Sequence, residues 1–338
     1  MLPKIGKIDK EVFDRIIFPH LGKFNQKVLI KPMHGVDAGV IEIDEEKVMV
    51  VACDPTFGMP VIMPFFGFLI VHICASDVAV LGVKPEYLTI SLLLPPGTDI
   101  KTLEEFWRQI SLECEKLGIA IVGGHTGVYP GISYPLNGGC TVWGFGKKEE
   151  LTPPNNAQIG DKIVITKGPA IEAAGILAYQ AEDKLKQVIN KELIEKAKKL
   201  IWEMTVVKDA LIARKYANAM HDATEGGLLN GVYEIAEASK VGVIIYEEKI
   251  PILEEVKVIC DYFKINPLIS ISEGTLIITL PPEKTADLIK ELKENGISAW
   301  EIGEVIERKR VFIKKDGKEE ELRPVKVDPF WDAYFSVL

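Results

Sequence analysis

The sequence has few cysteines, no GxxxxGK[ST] phosphate loop, no basic cluster interleaved with aromatics and no apolar core in its opening residues. Its five cysteines, at 53, 74, 114, 140 and 260, form no CxxC pair in 338 residues. They lie mostly in apolar runs and read as buried thiols in a reducing compartment, which argues against a disulfide frame or a zinc site. The net charge is −9 and the sequence pI about 5.3. No Lys/Arg stretch is interleaved with aromatics, so a nucleic-acid surface is not expected. The opening MLPKIGKIDKEVF lacks the apolar core of a signal peptide, and a cytoplasmic protein is expected. What remains is ordinary globular composition, 47% hydrophobic and 26% charged, in a chain long enough for two domains with real cores.

The most apolar stretch runs from Phe65 to Pro85, FFGFLIVHICASDVAVLGVKP. Before Lys84 only His72, Ser76 and Asp77 are not apolar or small. Length and the lack of internal proline suit a buried helix, with a break expected near Ala75-Ser76. Val61–Val83 is long enough to span a bilayer. Asp77 would cost roughly 2.5–3.5 kcal/mol at a bilayer centre, prolines stand at 60 and 64, and no second such stretch exists, so no membrane partner is expected. An aspartate buried here needs a cation, backbone N–H groups or a metal; the bland alternative is that Ser76 and Asp77 cap a second helical segment.

Elsewhere the pattern alternates between helix and strand. A helix is expected over 8–22, then a polar, basic stretch in which Gly35 and Gly39 bracket Asp37. Lys47–Cys53 reads as a buried strand ending at the turn pair Asp54-Pro55. Glu86–Leu94 reads as a strand and Thr98 or Asp99 as the cap of a helix to Leu117. A short strand, Ile119–Val122, runs into Gly123-Gly124-His125-Thr126, and Asn137–Gly146 is another strand. The proline- and asparagine-rich stretch Leu151–Asp161 divides the chain into domains 1–151 and 162–338. The second half reads as a strand at 162–167, helices near 169–180, 184–204, 206–218 and from Gly227 to about Ser239, a strand at 241–246, a helix at 253–264, a strand at 274–280, a helix at 283–295, and strands at 298–305 and 309–314. The aromatic tail DPFWDAYFSVL is expected to pack onto the domain.

The informative polar residues stand at element ends and glycine turns: Asp37, Asp54, Asp77, His125 after Gly123-Gly124, and Asp222 before Thr224 and Gly226-Gly227. An acidic residue in one turn is usually structural. Several carboxylates share a small space only when cations neutralise them, and oxygen-rich clusters suit hard divalent ions carrying phosphate. The glycines let backbone N–H groups approach an anion. The expected site is therefore a metal-dependent phosphate or nucleotide site.

Gly35-Val36-Asp37-Ala38, Cys53-Asp54-Pro55, Ala75-Ser76-Asp77-Val78-Ala79 with Gly82 and Pro85, and Gly123-Gly124-His125-Thr126 follow one another in an order that resembles the aminoimidazole ribonucleotide synthetase (PurM-like) superfamily. The second half carries the resemblance on through His221 to Leu228, Glu234-Ile235-Ala236 and Ser272-Glu273-Gly274-Thr275-Leu276. It covers nearly the whole chain and is nearest in flavour to the hydrogenase-maturation branch that makes a nitrile from a thiocarboxamide; thiamine-monophosphate kinase and selenophosphate synthetase are more distant relatives. The resemblance implies a two-domain α+β fold. In it the N-terminal domains of a homodimer join into a β-barrel with ATP sites near the interface, and a helix-covered sheet forms the second domain. It implies that aspartates matching Asp37, Asp54, Asp77 and Asp222 hold divalent metals on nucleotide phosphates, and that members phosphorylate an oxygen or use selenide. The family's Gly-Gly-Asp-Thr is Gly-Gly-His-Thr here, and no cysteine follows Cys260, whereas the maturation branch carries its substrate on a terminal cysteine.

The expected function is divalent-metal-dependent phosphoryl transfer on a nucleotide or phosphorylated small molecule, with water among the acceptors, as in a phosphohydrolase. Alternatives are an ATP-dependent synthase or dehydratase of the maturation type and a non-catalytic nucleotide-binding assembly protein. Mg²⁺ or Mn²⁺ would be the metal and ATP or ADP the nucleotide. The expected ligands are Asp37, Asp54, Asp77, His125 and Asp222, with His125 favouring Mn²⁺ over Mg²⁺ because imidazole suits softer ions. Gly123, Gly124, Thr126, Thr224, Gly226 and Gly227 are expected around the nucleotide, and His34 and Asp54 in catalysis. Lys27 and Lys31 are weaker phosphate candidates. His20 reads as a helix C-terminal residue and His72 as a core histidine.

Overall fold

The computed structural model describes residues 5–8, 10–132 and 134–337. Its first half holds α1 (Lys10–Val12), β1 (Val28–Ile30), β2 (Ala38–Glu42), β3 (Lys47–Pro55), α2 (Phe66–Ala79), β4 (Tyr87–Leu94), α3 (Ile100–Leu117), β5 (Ala120–Val128) and β6 (Asn137–Lys147). The second holds β7 (Lys162–Thr166), α4 (Ile171–Gln180), α5 (Glu182–Leu185), α6 (Lys191–Lys199), α7 (Val207–Ala213), β8 (Ala219–Asp222), α8 (Gly227–Ser239), β9 (Gly242–Tyr246) and α9 (Glu254–Phe263). It closes with β10 (Leu276–Leu280), α10 (Thr285–Glu294), β11 (Ala299–Ile306), β12 (Arg310–Ile313), β13 (Glu319–Glu321) and α11 (Pro329–Phe335).

The first sheet is ordered β1-β2-β3-β6-β4-β5, with only β4 and β5 parallel. Alternation decides its faces. Val48, Val50 and Ala52 of β3 point into the core, where α2 packs on β3 and β6. The other face is half exposed and apolar: Met49 and Val51 pair with Phe145 and Trp143, and Trp143 stacks on Tyr87 with ring centroids 5.7 Å apart. The second sheet is ordered β13-β12-β9-β11-β7-β10-β8. Helices cover it, and the central strands β7 and β10 are buried almost throughout because both faces are packed. One core is continuous between the halves, joining β3 and α2 to α7, Met220 and Leu276.

Several expectations are corrected. α2 runs unbroken through Ala75 and Ser76, so Ser76 and Asp77 cap nothing. The Ser76 hydroxyl instead accepts the Val206 N–H at 3.0 Å across the domain junction. The apolar run Pro60–Ala79 is long enough to span a membrane, but 78% of its most apolar window is buried in this chain. It is a core helix. The strand expected to stop at Val122 continues as β5 to Val128, because glycines 123 and 124 pair with Thr89 and Ile90 of β4. The helix expected over 8–22 is only three short helical turns, with Pro19 in the last. The helix expected over 184–204 is divided into α5, α6 and a terminal turn, with Asn190 capping α6 through the Glu192 N–H.

Candidate active site at the junction of the two domains

Four elements bring one carboxylate each to the junction. Asp37 precedes β2, Asp54 stands near the end of β3, Asp77 lies in the last turn of α2, and Asp222 ends β8, the edge strand of the second sheet. Asp222 is wholly buried and Asp77 nearly so. Asp37 Oδ2, Asp54 Oδ2 and both oxygens of Asp222 are buried without a hydrogen-bond partner among the described residues. Such orphaned oxygens are costly. Burial pushes Asp77 well above the usual carboxylate range, and Asp54, Asp37 and Asp222 push it further. Burial also raises Asp54, against the lowering effect of a hydrogen bond with Asp77.

Two cations temper this charge. His221, wholly enclosed, has Nδ1 3.2 Å from Asp37 and 3.6 Å from Asp222, and Nε2 2.9 Å from Glu234 of α8. Burial alone would lower its pKa; Asp37, Asp222 and Glu234 outweigh that and hold it well above the usual histidine value. Lys7 reaches in from the N-terminal segment, with Nζ 3.7 Å from Asp37 Oδ1 and 3.2 Å from Thr224 Oγ1. Burial would likewise raise Asp37, but Lys7 and His221 hold it below its ordinary value. Asp37, His221 and Asp222 each offer a ligand atom within 4.8 Å of the others. Hard carboxylate oxygens, orphaned and converging from four elements, fit a divalent ion carrying phosphate.

A second acidic group adjoins the first. Glu273 is buried in the loop before β10, with Oε1 unpartnered. Burial raises it well above the carboxylate range, helped by Asp222 and Glu172. Glu172, at the start of α4, accepts the Glu273 N–H at 2.8 Å and is pushed up to about 7, chiefly by burial. The N-terminus of α8 is formed by Gly226 and Gly227, with φ of 85° and 66°. A Cβ on Gly227 would stand 2.5 Å from the Ser270 carbonyl oxygen, so only glycine fits. Asp328, just ahead of α11, accepts the Gly226 N–H at 2.7 Å, and burial lifts its carboxyl to about 6. The Gly226 N–H expected to face a phosphate is thus already occupied by the chain's own tail.

The structure brings Asp37, Asp54, Asp77 and Asp222 together; Thr224 joins them through the Lys7 ammonium, and Gly226 and Gly227 follow it at the start of α8. It does not bring His125 to them. Asp54, Cys140, Ile90 and Gly124 lie on one rung of the sheet. β5 is therefore three strand spacings, about 14 Å, from β3. His125, on β5 with Gly123, Gly124 and Thr126, is exposed and holds Tyr129 Oη at 2.7 Å from Nε2. Within one chain it cannot share an ion with Asp54. His34 stands at the rim, Nδ1 3.7 Å from Glu234. Lys31 lies over the Phe24 ring instead. His72 is a core histidine between Thr205 Oγ1, at 2.9 Å, and Glu113, at 3.3 Å.

Two mixed sheets with helices, joined at this junction, make the two-domain PurM-like α+β fold. The AIR synthase related protein N-terminal domain profile matches residues 35–144 and the C-terminal domain profile residues 158–316; the chain belongs to the AIR synthase related family. A putative hydrogenase expression/formation protein of Methanocaldococcus jannaschii is 28% identical, over 86% of this chain and 85% of its own. The thiamine-monophosphate kinase of Pyrococcus horikoshii is 30% identical over 76% of each chain, and the carbamoyl dehydratase HypE of Azotobacter vinelandii 26% over 76% of each. Among solved structures, E. coli HypE, a hydrogenase maturation protein, superposes with a TM-score of 0.72 at 24% identity, covering 83% of this chain and 87% of that one. AaThiL complexed with AMPPCP and TMP gives 0.68 at 22%, covering 87% and 90%. These likenesses show the fold.

Proposed function

We propose that this chain is a cytoplasmic, ATP-dependent enzyme that transfers a phosphoryl group to an oxygen of a small molecule. The observation that carries the reading is the convergence of Asp37, Asp54, Asp77 and Asp222, with four buried carboxylate oxygens that accept no hydrogen bond among the described residues. These residues would hold divalent metal, Mg²⁺ or Mn²⁺, which supplies charge neutralisation for phosphate oxygens. The relatives named as a kinase and a dehydratase favour a small-molecule acceptor over water, so ATP-dependent chemistry of that kind is preferred to a phosphohydrolase. Gly123, Gly124 and Thr126, on the far strand of the same sheet, would meet the remote part of a nucleotide whose phosphates lie at Asp54. Thr224, Gly227 and His34 line the near side. ATP turnover should require Mg²⁺ or Mn²⁺ and rise with the right phosphorylated or amide-bearing acceptor. Phosphate release at full rate without acceptor would instead mark a phosphohydrolase, and nucleotide binding with no turnover under any condition would mark an assembly protein.

The same reading makes the protein a homodimer whose N-terminal sheets close into a barrel. Among the described residues β5 is an edge strand with no outer partner, with Val122 54% and Val128 56% exposed, and it borders the half-exposed face of Tyr87, Trp143 and Phe145. An edge and an apolar face of this kind need a cover. Light scattering should give twice the chain mass of 37.5 kDa at micromolar concentration; a monomer there removes the dimer.

His125→Asp should leave the Mn²⁺-to-Mg²⁺ preference unchanged, because His125 stands about 14 Å from the Asp54 strand. A shift of that ratio toward Mg²⁺ would mean that His125 meets the metal, which it can do only from another protomer.

A further inference from the structure

The carboxylate site already holds one cation that belongs to neither sheet. Lys7 lies on an N-terminal strap, and its ammonium sits between Asp37 Oδ1, at 3.7 Å, and Thr224 Oγ1, at 3.2 Å. The strap is pinned by its backbone: the Lys7 N–H donates to Glu225 Oε2 at 2.8 Å. Glu225 Oε1 in turn accepts the Trp331 indole N–H at 3.1 Å, which ties the anchor to α11. Gly6 is pressed on the same carboxylate; a Cβ there would stand 2.0 Å from Glu225 Oε1, at a φ of 94°. The Lys7 side chain is nonetheless 64% exposed, held at its tip by the Asp37 charge and the Thr224 hydroxyl. Beside the ammonium are the buried oxygens of Asp37, Asp54 and Asp222 that accept no hydrogen bond among the described residues.

We propose that Lys7 is the chain's own counter-ion for the acidic site and that a divalent ion entering the site displaces it, releasing the strap. The inference rests on the reading of the aspartates as metal ligands. A monovalent ammonium on a flexible stem satisfies one edge of the cluster, whereas a divalent ion reaches several carboxylate oxygens at once. The two positive charges repel at such separations, so metal binding and strap docking oppose each other. Linkage then makes the opposition reciprocal: whatever loosens the strap tightens the metal.

The test is Mn²⁺ titration of the full-length protein by calorimetry, without nucleotide. Lys7→Met should bind Mn²⁺ about fivefold more tightly than wild type, the equivalent of the roughly 1 kcal/mol of an exposed ion pair. Lys7→Arg, which keeps the charge, should stay near wild type. Gly6→Ala, which strains the strap at a φ of 94° without altering charge, should follow Lys7→Met. In the wild-type chain, Mn²⁺ should also speed tryptic cleavage after Lys7. Equal affinities in wild type and Lys7→Met, or a strap that Mn²⁺ protects from trypsin, overturn the proposal while leaving the metal site intact. Binding of Mn²⁺ to neither protein overturns the metal reading itself, and the strap inference with it.

Discussion

Asp77→Asn should abolish metal-dependent ATP turnover while making the metal-free protein more stable. The two effects come from one cause. Asp77 is buried among Asp37, Asp54 and Asp222, and burial followed by their charge raises its carboxyl well above 3.8. A neutral amide of the same shape removes that repulsion. Replacing a whole buried ion pair by neutral residues of similar volume is often neutral or stabilising by about 1–4 kcal/mol, and for one carboxylate crowded by like charges a gain of about 1–2 kcal/mol is expected. Its pH dependence is fixed by sign. The native state holds a proton on Asp77 that the unfolded chain releases above about 4, so this group's contribution falls as pH rises from there through the native pKa. Wild type should therefore lose stability over that window faster than Asp77→Asn, and the two should converge in acid. Activity moves the other way. Loss of an outer-shell partner costs a metal site about 10- to 100-fold, so loss of a ligand should cost on the order of a hundredfold or more. Denaturant titrations without metal and ATP turnover with Mn²⁺ measure both. A variant that unfolds, or that keeps its activity, ends the assignment of Asp77 to the site.

The carboxylates were legible because the chain places each where a structural role is hard to find: inside an apolar helix, after a buried strand, between glycines. That oddity survives without coordinates. Their partners were not legible, for physical reasons. His221 adjoins Asp222 in β8, and adjacent strand residues normally point to opposite faces; only at the strand end do both meet one site. Glu234 is an ordinary polar position on the amphipathic helix α8 until His221 is found 2.9 Å away. Glu172 begins a helix, where an acidic residue is expected from the helix dipole alone, yet it belongs to the second acidic group. Lys7 looks like any N-terminal lysine, since its role depends on a contact 217 positions away in sequence. The large elements followed periodicity closely. Errors fell where glycine-rich segments keep pairing, as in β5, and where short helical turns are joined by tight corners, as over 182–203.

The metal-free protein should depend on His221 more than on any of the aspartates. Its ring is 1% exposed and touches Asp37, Asp222 and Glu234. Those carboxylates hold it protonated well above the usual histidine value, against the cost of burial. Removing one partner of a buried charge set leaves the others uncompensated, which typically costs about 3–5 kcal/mol. His221→Gln keeps one hydrogen-bonding end and loses the charge, so about 3 kcal/mol of destabilisation is expected without metal. The sign with pH follows from the raised value. The native state keeps a proton that the unfolded chain loses near 6.5, so the stabilisation by His221 is complete below that pH and fades as pH rises through the native pKa. The gap between wild type and His221→Gln should therefore narrow in alkali. Mn²⁺ should narrow it as well, because a divalent ion between Asp37 and Asp222 supplies the positive charge that the variant lacks, and ligand binding to the native state alone stabilises it. The measurement is the unfolding midpoint of both proteins, with and without Mn²⁺, at neutral and alkaline pH. If Mn²⁺ stabilises wild type and not the variant, His221 is itself a metal ligand, and its place beside Lys7 among the cluster's counter-ions is lost.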